Sequence, residues 1–420
     1  MQIKIEKLVY GGSGIGRSQG KAIFVDGGVP GDLLDVEIIN DKRDYAESKI
    51  DKIIKPSPER TEPLCPVFGI CGGCQWQHMN YSLQLKAKEE ILSETLFRIG
   101  GIREPVIEPI VSSPKEYYYR KRVTLSIWPA EGRYFLGYHE GKSLDKVPIA
   151  GCPIASEEIN LAINKLSDSI SHINEDIYFP FDRVHISSEN GEAYITLMPY
   201  GYLKSKDREI FSSFLGDSLK PESGSFSGES ECVFEFDLLG LKFFSTPSEF
   251  VQANKRINET LIETVIDWAE PSGEDNVLEL YSGIGNFSLH LAKKVKRIDA
   301  VDINRKAIRL AKRSADKNSI GNVAFHFSSS ERFIFNAVKR GRRYNLVLLD
   351  PPREGAREIL KGLIEMSPDR IIYVSCNPAT LARDLKRLIE GNYRIMKIRP
   401  FDMFPQTYHI ETVALLKKEV

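Results

Sequence analysis

In residues 1–58, apolar and polar positions alternate in short runs. Ile3–Leu8, Lys21–Val25, Leu33–Ile39 and Ala46–Ile54 read as strands, with Gly and Pro between them. Short strands with such punctuation predict a small β-barrel. The run Gly11-Gly12-Ser13-Gly14-Ile15-Gly16 looks like a nucleotide loop, but another strand follows it rather than a helix, so it reads as a turn. Pro56, Pro58 and Pro63 mark a linker. Leu85, Ile91, Leu92 and Leu96 then lie at helical spacing and predict a helix over Ser82–Arg98, stopped by Gly100-Gly101. From about 117 to 245 the pattern mixes strand and helix, and acidic, Ser and Gly residues over 216–231 predict a surface loop.

From about 246 the pattern becomes βαβ. Asn276–Leu280, Ile298–Val301, Asn345–Leu349, Ile371–Val374 and Ile410–Leu416 read as strands, and Phe287–Lys294 opens a helix after the turn Gly283–Gly285. Strands alternating with helices predict a doubly wound, Rossmann-like sheet. The expected organisation is a barrel over 1–58, a mixed α+β central domain over 59–80 and 111–245, a helix over 81–110 packed on the last domain, and an α/β domain over 246–420.

Composition adds little to this picture: 42% hydrophobic and 27% charged residues are ordinary for a soluble globular chain. No apolar run approaches a membrane span. The start, Met1 to Lys7, alternates polar and apolar and lacks the apolar core of a signal peptide, which predicts a cytoplasmic protein with reduced thiols. The net charge of −1 hides an asymmetry, because residues 291–343 hold fifteen Lys/Arg against four Asp/Glu. A surplus that local points to a polyanion such as nucleic acid. Residues 1–60 carry ten basic and ten acidic residues and are neutral.

Candidate chemistry gathers where predicted strands end. Glu279-Leu280-Tyr281-Ser282-Gly283-Ile284-Gly285-Asn286-Phe287 follows a strand and opens a helix. It lacks both the third glycine of a dinucleotide fingerprint and the Lys-Ser/Thr of a phosphate loop. Asp302 stands 19 residues after Gly283, at the end of the next strand, where a carboxylate can accept from ribose hydroxyls. A nucleoside-type cofactor such as S-adenosylmethionine fits that loop better than NAD. Asp350 closes one strand in Asp350-Pro351-Pro352-Arg353-Glu354-Gly355, Cys376 closes the next in Ser375-Cys376-Asn377-Pro378, and Glu411 opens a late one. A thiol just past a strand end is a nucleophile candidate.

These pieces closely resemble, over essentially the whole chain, the iron–sulfur-containing RNA uracil-C5 methyltransferases with an N-terminal TRAM domain, an RNA-binding β-barrel. The matching pieces, in order, are the 1–58 barrel, the Cys-x5-Cys-x2-Cys loop, Phe250-Val251-Gln252-Ala253-Asn254, Tyr281–Asn286, DPPREG, SCNPATLARDL and HIETVALL. The resemblance implies that Cys376 is the nucleophile and Glu411 the base. It implies cofactor contacts from Gln252, Tyr281, Asn286, Asp302 and Asp350. Where many members carry an acidic residue or Asn near the adenine, this chain has Ser328-Ser329-Ser330-Glu331; Ser329 aligns best and Glu331 is the alternative.

Cys65-x5-Cys71-x2-Cys74 is compact and glycine-rich, and Cys152 is available as a fourth ligand. Four thiolates suit zinc or an iron–sulfur cluster equally by donor type. Three clustered ligands with one distant favour a [4Fe–4S] cluster, and the family resemblance agrees. His78 reads as a packing or hydrogen-bonding residue, and Cys232 has no motif.

The implied partner is RNA, whose target uridine must be turned outward or lie in a loop. Tyr117 to Arg122 interleaves aromatics and cations as single-strand binders do, though an ordinary strand entry reads the same way. The family class favours 23S ribosomal RNA, with tRNA as the alternative, and a non-catalytic RNA-binding protein as the reading from another class. Nothing in the chain points to an obligate protein partner.

Overall fold

The structure is a computed structural model and describes residues 1–174, 179–199 and 232–419. The 216–231 loop expectation lies outside the described residues. The chain divides into two compact units. One holds Met1–Pro63, Cys74–Pro114 and Arg256–Val420; the other holds Leu64–Gly73 and Lys115–Lys255.

The first unit begins with a six-stranded sheet built from Gln2–Lys4, Lys7–Leu8, Gly14–Ser18, Lys21–Val25, Leu33–Asp41 and Tyr45–Lys55. Alternate side chains, among them Ile3, Ile23, Val25, Leu34 and Val36, fill its interior. The glycine run is only partly a turn, since Gly14 and Gly16 belong to a strand. A Cβ on Gly14 would lie 2.7 Å from the Gly28 carbonyl oxygen, and one on Gly16 2.3 Å from that of Lys4. These glycines therefore permit close backbone approach.

The helix Tyr81–Gly100 is capped by the Asn80 side chain, which accepts from Leu83 N, and ends at Gly101 with φ 66°. Its apolar face, including Leu92 and Leu96, belongs to the same core as the large sheet.

That sheet has seven strands, here β1 Asn276–Leu280, β2 Arg297–Asp302, β3 Val323–Phe327, β4 Leu346–Leu349, β5 Arg370–Ser375, β6 Tyr393–Phe401 and β7 Glu411–Lys418. Their spatial order is β3-β2-β1-β4-β5-β7-β6. The first five are parallel, whereas β7 runs antiparallel to both β5 and β6. Leu346–Leu349 and Ile371–Val374 are wholly buried, as their unbroken apolar runs require in a sheet covered on both faces. β6 gave no clear sequence signal because it is an edge strand with mixed exposure and a proline, Pro400. The parallel strands place residues 281, 302, 328, 350 and 376 at one end of the sheet. The reversed β7 starts at that same end.

The second unit contains a five-stranded antiparallel sheet, the helix Glu157–Ser171 packed on it, and a hairpin, Phe234–Leu238 with Leu241–Ser245. Its boundary lies at 255/256 rather than 245/246. The segment 246–254 is tied to residues 120–122: Lys121 N donates to Ala253 O at 2.9 Å, and the Arg122 guanidinium donates to the Pro247 and Ser248 carbonyls at 3.0 and 3.1 Å. Residues 74–80 likewise join the first unit rather than the central domain, because Trp76 and Met79 are buried in its core. No helix among the described residues is long and apolar enough to cross a membrane.

Candidate active site

β5 ends at Ser375 and the helix Pro378–Glu390 starts with Asn377 as its cap, its side chain accepting from Ala379 N at 3.0 Å. Cys376 sits between them. Ser375 pairs with Thr412 across β5 and β7, so the next residue on β5 is Cys376 and the adjoining one on β7 is Glu411. Glu411 is 3% exposed. Burial pushes the Cys376 thiol up to about 12, reinforced by Glu411 and Asp350 and opposed by the Arg353 guanidinium. Glu411 is raised well above the usual carboxylate range by burial and then by Asp350, again opposed by Arg353. Asp350 is raised by burial to about 7. Thiol, two carboxyls and one guanidinium thus share a single electrostatic environment.

The two motifs that carry these groups are latched together. The Arg353 carbonyl accepts from Asn377 Nδ2 and Thr380 Oγ1, both at 3.1 Å. Arg383 donates to the Glu354 carbonyl at 2.9 Å, and Ala356 N donates to Asp384 Oδ2 at 2.7 Å. Gly355 has φ 79°, and a Cβ there would stand 2.6 Å from Asp384 Oδ2, so only glycine fits the latch. The Arg353 side chain turns the other way, its Nη2 lying 3.3 Å from His409 Nε2.

The approach to Glu411 is held by the helix Tyr81–Gly100. Lys88, fully buried, pairs with Asp402 and donates to the Phe404 carbonyl at 3.1 Å. Tyr81 donates to Asp402 Oδ2 at 2.6 Å. Gln84 exchanges two hydrogen bonds with Gln406, at 3.0 and 2.9 Å, and Gln406 has φ 69°. Sequence reasoning missed this support, whose partners lie more than 300 residues apart.

The cofactor loop follows β1. Tyr281, Gly283 and Gly285 all have positive φ, 63°, 53° and 89°. A Cβ on Gly283 would meet no atom within 4 Å, so this backbone borders open space. Ser282 Oγ is buried without a hydrogen-bond partner among the described residues. An open glycine backbone beside an orphaned hydroxyl fits a bound nucleoside. Asp302 takes Gly283 N on one oxygen and Asn304 N on the other, both at 2.7 Å, which shapes the loop and the following helix start. Burial pushes the Tyr281 hydroxyl up to about 12, so it stays protonated near neutral pH, and Ser330 opposes the shift. The Ser329 hydroxyl instead caps the helix Ser330–Lys339, accepting from Arg332 N at 3.3 Å.

Two further residues emerge here. Asn258 forms a reciprocal amide pair with Asn286, at 2.9 and 3.0 Å, and so fixes which edge Asn286 presents. Glu279 is 1% exposed and accepts from Ser288 Oγ. Burial raises it to about 8, with Asp350 and Asp302 adding to the effect. A buried acid inside a strand is a legible signal; the Asn pair, 28 residues apart, is not.

In the second unit, Gln252 is 9% exposed while Phe250 is 65% exposed, so Phe250 is not core. In the Tyr117–Arg122 run, Tyr119 is buried and Arg122 is spent on backbone carbonyls. Cys65, Cys71 and Cys152 belong to this unit and form no disulfide among the described residues. Cys65 and Cys71 are raised by burial and further by Cys152, and Cys71 Sγ accepts from Gly73 N at 3.4 Å. These soft donors suit an iron–sulfur cluster or zinc. Among the described residues no three His, Cys, Asp or Glu side chains converge as a metal site. Cys74 belongs to the first unit, as does His78, which burial lowers to about 4.

A family model described as tRNA (Uracil-5-)-methyltransferase matches residues 240–419, and one described as TRAM domain matches residues 1–50. The chain is similar to the 23S rRNA (uracil(1939)-C(5))-methyltransferase RlmD of Aeromonas hydrophila, with 31% identity over 100% of this chain and 96% of that one. It is also similar to the protein of the same name from Vibrio vulnificus, with 32% identity over 99% of this chain and 96% of that one. A solved structure, the Pyrococcus abyssi tRNA (uracil-54, C5)-methyltransferase in complex with S-adenosyl-L-homocysteine, matches with TM-score 0.72 and 27% identity over 99% of this chain and 100% of that one.

Proposed function

This chain belongs to the RNA uracil-C5 methyltransferase family, whose methyl donor is S-adenosylmethionine, and from that premise we propose that Cys376 is the nucleophile and Glu411 the base. The observation that carries this reading is their position on adjoining strand ends beside Asp350. Uracil C5 is too poor a nucleophile to take a methyl group directly. The Cys376 thiol gives up its proton to water and its thiolate adds to C6, which moves electron density onto C5. Bound S-adenosylmethionine would supply an electrophilic methyl, which C5 takes as the sulfonium leaves as the neutral thioether. Glu411 then removes the C5 proton, and the electron pair left behind re-forms the C5–C6 double bond and expels the thiolate.

Burial makes both groups hold their protons in the free site, and a high proton affinity makes Glu411 a strong base once ionised. Arg353 favours the anionic forms, and a sulfonium bound near Asp350 would do the same. Tyr281, Ser282 and Asn286 would hold the nucleoside, and Asp302 its ribose. Gln252 would orient the uracil or the methyl donor, and Ser329 or Glu331 would face the adenine. Replacing Cys376 by Ala removes methyl transfer and leaves cofactor binding; normal turnover by that variant would sink the mechanism.

The RNA target is 23S ribosomal RNA, a reading supported by full-length bacterial relatives named for that substrate. The tRNA alternative draws on the solved structure named for tRNA. Mapping 5-methyluridine in both RNAs from cells lacking this protein decides between them. Cys65, Cys71, Cys74 and Cys152 would hold a [4Fe–4S] cluster with a structural or RNA-positioning role. Iron and sulfide content, with a brown visible absorbance, tests that assignment; stoichiometric zinc without sulfide overturns it.

A further inference from the structure

We propose that Tyr10, from the amino-terminal barrel, is a substrate-contacting residue of the active site whose hydroxyl donates to an acceptor oxygen of the extruded uridine. The inference rests on the uracil-C5 reading above and extends it to a residue that no motif marks.

Tyr10 sits in the turn between the strands Lys7–Leu8 and Gly14–Ser18. That turn is fixed in place. Gly12 N donates to Val9 O at 3.1 Å, and Val9 N to Ser13 O at 3.0 Å. Trp76, fully buried, donates its Nε1 to Gly12 O at 2.9 Å. Gly12 has φ 99°, and a Cβ there would stand 2.9 Å from Gln75 Cβ and 3.3 Å from the Tyr408 ring. The glycine run thus has a use after all: it lets the turn press against residues 406–409.

The Tyr10 ring meets the Tyr408 ring edge-on at 5.2 Å, and Tyr408 lies 4.3 Å from His409, the residue that contacts Arg353. Both tyrosines flank the core cluster that contains Ile410, the neighbour of Glu411. The ring is therefore anchored, while its hydroxyl has no protein hydrogen-bond partner among the described residues. The charges of Arg353, Cys376 and Glu411 all act on the phenol. Burial first, then Tyr408, pushes it up to about 12, so near neutral pH it remains a donor. A half-buried phenol with an anchored ring and an unused hydroxyl beside a nucleophile is placed to meet a polar ligand.

The test is Tyr10→Phe in the full chain, which keeps the ring contacts and removes only the hydroxyl. Methylation of in vitro transcribed, unmodified RNA is expected to lose about fivefold to tenfold in kcat/KM, the scale of one hydrogen bond. S-adenosylhomocysteine affinity and Tm should match wild type. A Y10F enzyme within twofold of wild type on RNA overturns the inference while leaving the uracil-C5 reading intact. Failure of the wild-type protein to form 5-methyluridine sinks that reading instead. Tyr10→Ala, which also removes the ring, should lose more than Y10F; an equal or smaller loss would overturn the contact.

Discussion

Cys376 and Glu411 follow directly from the Ser375–Thr412 pair of two antiparallel strands, and each is held high in proton affinity by burial and by negative charge nearby. The pairing depends on β7 running opposite to β5. A parallel β7 would have put its first residue at the far end of the sheet.

The first prediction concerns that mutual influence. With the thiol at about 12, alkylation of Cys376 by iodoacetamide should be slow at neutral pH and rise about tenfold per pH unit as thiolate forms. Glu411→Gln removes a negative neighbour and so lowers the thiol's proton affinity. The variant should alkylate faster, by a margin that widens as pH rises through the ionisation of Glu411. Mass spectrometry of the Cys376 peptide reads the rate, and identical profiles would mean that the two groups do not interact.

A second prediction separates the steps. Glu411→Gln should still add its thiol to RNA but fail to eliminate it, leaving a protein–RNA adduct that survives denaturing gel electrophoresis. Free turnover without an adduct would take Glu411 out of the base role.

Asn258 is predicted to act through Asn286. Asn258→Ala leaves the Asn286 amide without its reciprocal pair and should weaken S-adenosylhomocysteine binding about tenfold by calorimetry, the scale of one or two hydrogen bonds. Unchanged affinity would mean that Asn286 needs no such orientation.

Lys88 and Asp402 form a wholly buried ion pair. Lys88→Met strands a buried carboxylate and should cost about 3–5 kcal/mol in urea unfolding. Adding Asp402→Asn should recover part of that loss, because the stranded charge is gone. An additive double variant would refute a direct pair energy.

Much of this protein was readable along the chain, because the physics involved is local. Apolar runs such as Leu346–Leu349 and Ile371–Val374 announce strands buried on both faces, and the polar residue that ends each run marks the rim where a ligand can sit. Asp302, Asp350 and Cys376 were all legible in that way. Asn80 and Gly101 bound their helix through capping chemistry that acts over a few residues.

Other features arose only from tertiary packing. The edge strand β6, the glycines of Gly14–Ser18, the boundary at 255/256 and the Lys88–Asp402 and Asn258–Asn286 pairs join residues far apart in sequence or depend on exposure. Local patterning carries no record of such contacts. Tyr10 illustrates the difference. By periodicity it is an ordinary turn residue, and only the folding of the 9–13 turn against Tyr408 brings its phenol under the charges of Arg353, Cys376 and Glu411. The sequence by itself determined which reactive groups stand at the strand ends. The tertiary structure decided how they are oriented and charged, because burial and long-range pairing exist only once the chain has closed on itself.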